Sequence, residues 1–341
     1  MIAGGGRHLV KYEGAGNDFL VVVDGSGDRP LDALEVRVLC DRRHGVGADG
    51  VLRLSPGTRG AALSMELRNA DGSRAEMSGN GVRCLVHAAV DAELVAAGEV
   101  TVATDAGHRS VRISLGAEPG VAVAQVDMGR PRLLPEPDPA PAGLLGVLAE
   151  VGCRAEGPGP RAHSCTLARD ARDARDARDD GTPGSPGSAR TAPGTRIRWV
   201  DMGNPHVVVL VDEADPAWAA RWGAAVDAAT PGGTNVEVVR VLSRNEVHID
   251  VWERGVGTTL ACGTGSCAVA AACWDWGIAG DPLVVHNPGG ALTVSTENGS
   301  VVLGGPSRRV AAVVVADAVL AARAAELRSV EEREAQSGAG S

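Results

Sequence analysis

The tetrapeptides SGNG (78–81) and CGTG (262–265) are two copies of one motif, separated by 262 − 78 = 184 residues. Each is followed by an alanine-rich stretch, VRCLVHAAVDA after the first and SCAVAAACWDW after the second. A small capping residue and glycine before an alanine-rich run are typical of a helix N-terminus. The sequence therefore predicts two equivalent helices, one beginning at Ser78 and the other at Cys262.

Two further segments repeat in the same order along the chain. GNDFLVVVD begins at Gly16 and GNPHVVVLVD at Gly203, an offset of 203 − 16 = 187 residues. The glycine-rich HGVGADGV (44–51) corresponds to GGTNVEVV (232–239), with Gly47 and Gly233 offset by 233 − 47 = 186 residues. Three segments in one order at a nearly constant offset predict two homologous domains related by an approximate twofold axis.

Short β-branched segments make up most of the remaining pattern. FLVVVD, HVVVLVD, VHIDVW and LTVSTENGSVVL are bounded by Gly, Asn or Asp, as antiparallel strands tend to be, and ENGS (297–300) predicts a hairpin turn. We expect residues 1–127 to form the first domain, rejoined by a last strand near 308–316, and residues 128–307 to form the second. Residues 168–195, with four consecutive Ala-Arg-Asp triplets, predict a disordered surface insert or a partner-binding segment, and residues 317–341 predict a polar, solvated helical tail.

The composition limits which partners and cofactors are expected for this chain. A net charge of −10 over 341 residues gives no reason to bind nucleic acid or an anionic membrane, so a small-molecule substrate is favoured, and a homodimer stays open. Without an apolar run of about 18 residues or a signal peptide, a cytoplasmic location is expected. The seven scattered cysteines predict reduced thiols and no metal site. Lys11, the only lysine, precedes the first strand, and no phosphate-binding glycine loop lies near it, so no pyridoxal phosphate and no other cofactor is expected.

The two predicted helix starts have a specific chemistry. Free backbone N–H groups and the helix dipole stabilise negative charge there, and a cysteine pKa can fall from about 8.5 to roughly 3.5–7.5. Cys262 is therefore a candidate general base; an inert buried thiol is the alternative, and it is our interpretation of Cys84, Cys267 and Cys273. Two such starts facing one another would hold two acid/base groups on opposite faces of one molecule, which suits inversion at a carbon.

Six segments resemble the successive motifs of the diaminopimelate epimerase family over residues 11–271: GAGNDF, DRRHGVGADG, RNADGSRAEMSGNGVRC, DMGNPH, GTNVE and WERGVGTTLACGTGSCA. The resemblance implies an α+β fold of two pseudo-symmetric domains, each mostly antiparallel β-structure wrapped around a central helix. It also implies an isomerase of lysine and peptidoglycan-precursor synthesis that uses no pyridoxal phosphate. The implied reaction converts LL-2,6-diaminopimelate to the meso form by α-proton abstraction and reprotonation on opposite faces.

The same resemblance assigns roles to individual residues. Cys262 and Ser78 would be the catalytic pair, with His206 and Glu253 as supporting residues. Asparagine offers a donor and an acceptor to an ammonium-carboxylate group, and arginine binds carboxylate bidentately. The implied substrate-binding residues are Asn17, Asn69, Gly79, Asn80, Asn204, Asn235, Glu253, Arg254, Gly263 and Thr264.

Ser78 departs from the family pattern, which has cysteine at both helix starts. A serine hydroxyl is a poor base unless a neighbouring base activates it. Three interpretations remain open. The chain epimerises diaminopimelate or a related amino acid with Ser78 as proton donor or water relay; it catalyses one-base chemistry with Cys262 alone; or it is a weakly catalytic binding paralogue. The retained substrate contacts favour the first.

Overall fold

A computed structural model describes residues 5–135, 196–212 and 216–338. The chain divides into two compact units: unit 1 is Met1–Arg130, Leu260–Cys267 and Val284–Ser341, and unit 2 is Pro131–Thr259 and Ala268–Leu283. The sequence-based boundaries place residues 128–130, 260–267 and 284–307 in the second domain, whereas the structure groups these segments with unit 1. The predicted insert, 168–195, lies outside the described residues. In the described part of the chain no helix has the length and apolar character to span a membrane.

Unit 1 surrounds one helix with strands. Its elements are β1 (Gly6–Gly14), β2 (Asn17–Val23), α1 (Ala33–Cys40), β3 (Gly50–Pro56), β4 (Leu63–Asn69), β5 (Arg74–Ala75), α2 (Gly79–Asp91), β6 (Gly98–Thr104), β7 (Gly107–Leu115) and β8 (Val121–Gly129). Residues 79–89 of α2 are all buried, and α2 packs against β1, β2, β7 and β8. β1 pairs antiparallel with β2, β2 pairs parallel with β3, and β6, β7 and β8 are antiparallel.

Unit 2 repeats the first part of this order. It contains β9 (Arg132–Leu134), β10 (Arg196–Asp201), β11 (Pro205–Leu210), α3 (Pro216–Ala229), β12 (Asn235–Ser243), β13 (Glu246–Glu253) and β14 (Gly257–Thr259). β10 pairs antiparallel with β11, β11 parallel with β12, and β12 antiparallel with β13. Trp222 of α3 is 2% exposed and packs in a core with Val207, Val236 and Val238.

The remaining elements complete the repeat. They are α4 (Gly263–Asp275), β15 (Leu283–Asn287), β16 (Gly290–Glu297), β17 (Ser300–Ala316) and α5 (Asp317–Gly338). In both halves a helix links a parallel strand pair, β2 to β3 and β11 to β12, and both motif helices, α2 and α4, have 13 residues. The hairpin at 297–300 joins β16 to β17, and Asn298 and Gly299 have φ of 53° and 81°. The predicted α+β fold with an internal repeat is confirmed.

The C-terminal tail is helical but is not solvated on all sides, so that part of the expectation was wrong. α5 packs against α1, and Leu320 is 6% exposed in a cluster with Val36 and Leu39. Ala324 and Leu327 pack against the same cluster. Because residues 320, 324 and 327 are spaced for one helix face, the helix buries an apolar stripe on unit 1.

We expect Leu320→Ala to lower the free energy of unfolding by about 2 kcal/mol, because it leaves a cavity in a packed cluster. Val319→Ala on the neighbouring, 52% exposed position is the matched control and should change the free energy by less than about 0.5 kcal/mol. Urea unfolding of both variants measures the difference. Equal, small effects would show that α5 contributes nothing to the core of unit 1.

Candidate active site

Ser78 and Cys262 occupy the same position relative to their helices. Ser78 has extended backbone angles, φ −138° and ψ 124°, and its Oγ accepts the Gly81 N–H at 3.1 Å. The Sγ of Cys262 accepts the Gly265 N–H at 3.3 Å. Each side chain therefore caps the backbone three residues further on, which is the usual geometry of an N-cap. The acceptor atom is a hydroxyl oxygen in the first cap and a sulfur in the second.

The two helix starts approach one another within unit 1. A β-carbon added to Gly263 would lie 3.5 Å from the Cα of Gly79 and 3.7 Å from the Oδ1 of Asn80. A β-carbon added to Gly79 would lie 2.8 Å from Leu303, a contact closer than packing allows. Glycine at these positions keeps the N-termini of α2 and α4 close together. The free N–H groups of α2 and α4, and the positive ends of the two helix dipoles, therefore lie next to one region.

The segment that carries Cys262 is held by hydrogen bonds that sequence reasoning missed. Cys262 is 6% exposed, and its backbone N–H donates to Asn287 Oδ1 at 3.3 Å. Asn287 Nδ2 donates to the Oγ of Ser266 at 3.2 Å, and that hydroxyl donates to the Cys262 carbonyl at 2.9 Å. Thr264 Oγ1 lies 3.4 Å from the cysteine sulfur. Asn287 thus holds the backbone of Cys262 in place.

The other cysteines of the two motif helices are fully buried. Cys84, Cys267 and Cys273 are each 0% exposed. Burial raises the pKa of Cys84 to about 11 and that of Cys273 to about 12, and it also raises the pKa of Cys267. These buried thiols therefore stay protonated at neutral pH. Cys84 therefore does not replace the cysteine missing at position 78.

Two candidate asparagines of unit 1 contact each other. Asn80, 1% exposed, donates through Nδ2 to the Oδ1 of Asn17 at 3.4 Å. Asn17 Nδ2 donates in turn to an oxygen of Asp49 at 2.6 Å. Asn69 makes different contacts: its Nδ2 donates to Ser73 Oγ at 3.1 Å, and its backbone lies opposite Gly50 in the β3–β4 ladder. Asp49 lies inside the GVGADG motif, but nothing in the sequence identified this aspartate as a site residue.

In unit 2, His206 is paired with a buried carboxylate. Its Nδ1 lies 2.7 Å from Glu237 Oε1, and both side chains are 0% exposed. A carboxylate oxygen accepts a hydrogen bond from a protonated Nδ1, and the roles of the two ring nitrogens depend on the tautomer. Its Nε2 lies 3.1 Å from the side-chain amide oxygen of Asn204. Glu237 was not predicted as a site residue, although it lies within the quoted GTNVE segment.

The other candidates of unit 2 cluster at the start of β12 and the end of β13. Asn235 donates to the Pro205 carbonyl at 2.9 Å and accepts the Arg254 backbone N–H at 3.0 Å. The exposed Arg254 guanidinium donates to the Gly232 carbonyl at 2.9 Å. Glu253 accepts the Thr259 hydroxyl at 2.5 Å. The structure thus brings Asn235 and Arg254 together.

Lys11, the only lysine, lies within β1 and not before the first strand as expected, and its ammonium is engaged within unit 1. Its ammonium donates to the Gly47 carbonyl at 2.6 Å and pairs with Asp18 at 2.7 Å. A Schiff base at this nitrogen would require both contacts to break. Among the residues that the structure describes, no group of three or more His, Cys, Asp or Glu side chains could hold a metal ion.

Sequence comparison assigns the family. The family model described as diaminopimelate epimerase matches residues 9–134 and 198–310. The chain belongs to the diaminopimelate epimerase family. The diaminopimelate epimerase of Desulforudis audaxviator (strain MP104C) is 38% identical over 312 residues, covering 89% of this chain and 96% of that relative. The chloroplastic diaminopimelate epimerase of Oryza sativa subsp. japonica is 34% identical, covering 89% and 78%. This diaminopimelate epimerase family member is an isomerase.

Solved structures support the fold of this family member. A predicted epimerase from Pseudomonas aeruginosa matches with a TM-score of 0.60 at 18% identity, covering 90% of this chain and 98% of that chain. A hydroxyproline epimerase from Agrobacterium vitis matches with a TM-score of 0.57 at 15% identity, covering 92% and 93%. At these identities the likeness concerns the fold.

Proposed function

We propose that this isomerase converts LL-2,6-diaminopimelate to the meso form, a step of lysine and peptidoglycan-precursor synthesis, with Cys262 and Ser78 on opposite faces of the α-carbon. The observation that carries the proposal is the close approach of the two helix starts in unit 1. Because Gly263 lies against Gly79, two capping side chains flank one region rich in backbone N–H donors. That arrangement supports inversion without a cofactor.

The proposed step balances without an external reactant. In one direction the Cys262 thiolate takes the α-proton, and the charge that develops on the substrate carboxylate is stabilised by the N–H groups of α2 and α4. The Ser78 hydroxyl, directly or through a water, delivers a proton to the opposite face. Exchange with solvent then restores the thiolate and the hydroxyl. In the other direction Ser78 must act as the base and Cys262 as the acid, so the weakly basic hydroxyl limits turnover overall.

The substrate contacts are proposed from the family resemblance. Asn17, Asn69, Asn204 and Asn235 would bind the amino-acid groups, and Arg254 with Glu253 the charged ends. Gly79, Asn80, Gly263 and Thr264 would supply donors at the helix starts. His206, oriented by Glu237, is proposed as a supporting residue. The polar side chains needed for a substrate with two amino-acid ends are all present.

One-base chemistry is the second candidate, and Ser78 is the reason. Its Oγ accepts the Gly81 N–H, and in the described part of the chain no basic side chain hydrogen-bonds this hydroxyl. An unactivated serine is a weak base. Under this alternative Cys262 exchanges or eliminates from one stereoisomer, and Ser78 only orients the substrate.

Incubation with LL-diaminopimelate in deuterated water separates the candidates. Epimerisation produces meso product that carries deuterium at the inverted α-carbon. One-base chemistry labels the starting stereoisomer without inversion or forms an elimination product. A binding paralogue changes neither stereochemistry nor label, although calorimetry detects binding. The absence of labelled meso product at high enzyme concentration would exclude the proposed function.

A further inference from the structure

Four side chains of unit 1 form a hydrogen-bonded line that we call the amide relay: Asp49, Asn17, Asn80 and Arg83. Asp49 accepts from Asn17 Nδ2 at 2.6 Å, Asn17 Oδ1 accepts from Asn80 Nδ2 at 3.4 Å, and Asn80 Oδ1 accepts from the Arg83 guanidinium at 2.8 Å. A carboxylate thus ends the line on one side and a guanidinium on the other.

The two end charges determine how both amides are turned. A guanidinium has only donors, so the Asn80 atom beside Arg83 must be its oxygen, and Nδ2 must face Asn17. A carboxylate has only acceptors, so the Asn17 atom beside Asp49 must be its nitrogen, and Oδ1 must face Asn80. The two requirements agree at the Asn17–Asn80 contact. Donor and acceptor alternate along the relay only in this one arrangement.

Arg83 is built into the core at the base of α2. It is 0% exposed, and its other donors bind the carbonyls of Gly79 at 3.3 Å and Pro306 at 3.4 Å. Among the described residues, no carboxylate lies within ion-pair distance of its guanidinium. Burial lowers its pKa to about 10, so the group remains charged at neutral pH. A buried cation without a paired anion is costly to a fold, which favours a functional reason for it.

Two glycines leave room for this guanidinium. A β-carbon at Gly14 would lie 3.3 Å from an Arg83 terminal nitrogen, and one at Gly305 would lie 3.2 Å from its Cζ and 2.5 Å from Leu292. The other end of the relay is held as well, because Arg42 pairs with Asp49 at 2.7 Å. Both ends therefore have fixed positions that do not depend on the two asparagines.

We infer that Arg83 and Asp49 are positioning residues that fix the orientation of the Asn17 and Asn80 amides. In that orientation both amides present N–H groups to a carboxylate of the substrate. The inference rests on the proposed function in that Asn17 and Asn80 contact the substrate. Each amide nitrogen has two N–H groups, and the relay uses one of them. A flipped amide would present a carbonyl oxygen to a substrate carboxylate and repel it.

Kinetics of Arg83→Met test the effect on the substrate. Loss of an oriented donor to an anionic group should raise KM for diaminopimelate about tenfold with little change in kcat, since the contact serves ground state and transition state alike. Arg83→Lys keeps a cationic donor and should recover much of the lost affinity. Arg53→Met is the matched control: Arg53 is also largely buried, but it pairs with Asp24 and Glu66. Arg53→Met should lower the stability of the fold without raising KM. An equal KM for Arg83→Met, Arg83→Lys and Arg53→Met would overturn the inference.

Side-chain amide NMR tests the relay without substrate. The chain has eight asparagines, so selective ¹⁵N-asparagine labelling gives a tractable spectrum. Arg83→Met should shift or broaden the Asn80 and Asn17 amide signals and leave that of Asn245 unchanged. Asp49→Asn, at a 41% exposed position, should shift the Asn17 signal and provides the test if Arg83→Met fails to fold. Unmoved signals would overturn the relay. Wild-type protein that neither binds nor converts diaminopimelate would instead refute the proposed function, and the spectra would still decide the relay.

Discussion

Cys262→Ala is expected to abolish α-proton exchange from the stereoisomer whose proton faces Cys262, with a rate loss of about a thousandfold or more. The thiol is the candidate base at the start of α4, where the Gly265 N–H contacts its sulfur at 3.3 Å. Alanine has no group that can take a proton. Inversion should be lost in both directions, because each direction needs Cys262 as base or as acid.

Deuterium uptake from each stereoisomer measures this loss. Cys267→Ala is the matched control, since Cys267 is also a cysteine of α4 but is 0% exposed and has a pKa raised by burial. This control should retain exchange near the wild-type rate. Loss of the Cys262 cap costs about 1 kcal/mol of stability, so a melting curve must first show that the variant is folded. Undiminished exchange in Cys262→Ala would refute the assignment of the base.

The repeat in the sequence predicted two equivalent halves because the same motifs occur twice in the same order. Matching segments at 78 and 262 predicted two equivalent helices, and both have 13 residues in the structure. Short β-branched segments bounded by Gly, Asn or Asp predicted the strands. Asn298-Gly299 predicted the turn of the last hairpin, because both residues tolerate positive φ. These features are local, and local sequence is sufficient for them.

The partners of the site residues were not predictable in the same way. Asn287 contacts Cys262 from 25 residues away, and the Pro306 carbonyl contacts Arg83 from 223 residues away. No pattern along the chain indicates which distant group will supply such a contact. Glu237 and Asp49 were visible inside quoted motifs, but a carboxylate on a strand or loop is more often solvated than paired.

The docking of α5 is a different case, since its signal was present in the sequence. Leu320, Ala324 and Leu327 recur at the spacing of one helix face, and that stripe indicates a packed helix. The sequence analysis missed this stripe because the tail as a whole is polar. Periodicity along a segment is therefore a better guide to burial than its mean composition.

Ser78→Cys is expected to raise the rate of inversion at least about tenfold, because it places a competent base at the start of α2. The Ser78 oxygen already accepts the Gly81 N–H, so a sulfur in its place would sit where Cys262 sits relative to Gly265. A thiolate is stabilised by such a donor and by the helix dipole, whereas a serine alkoxide at neutral pH is far less accessible. Inversion should rise in both directions, since the equilibrium between the stereoisomers fixes the ratio of the two kcat/KM values. Deuterium uptake should rise most from the stereoisomer whose α-proton faces position 78.

Ser78→Ala is the counterpart that separates a weak acid/base from a mere cap. If the hydroxyl delivers the proton in inversion, Ser78→Ala should lose meso product while Cys262 continues to exchange deuterium into one stereoisomer. If one-base exchange or binding is the native role, Ser78→Ala should leave the native behaviour intact, and Ser78→Cys should either create inversion that wild type lacks or change nothing. Rates of deuterium uptake and of inversion, measured from each stereoisomer in wild type and both variants, distinguish these outcomes. Equal inversion rates in wild type, Ser78→Ala and Ser78→Cys would remove Ser78 from the proposed mechanism, because a group that transfers the proton cannot be both deleted and strengthened without effect.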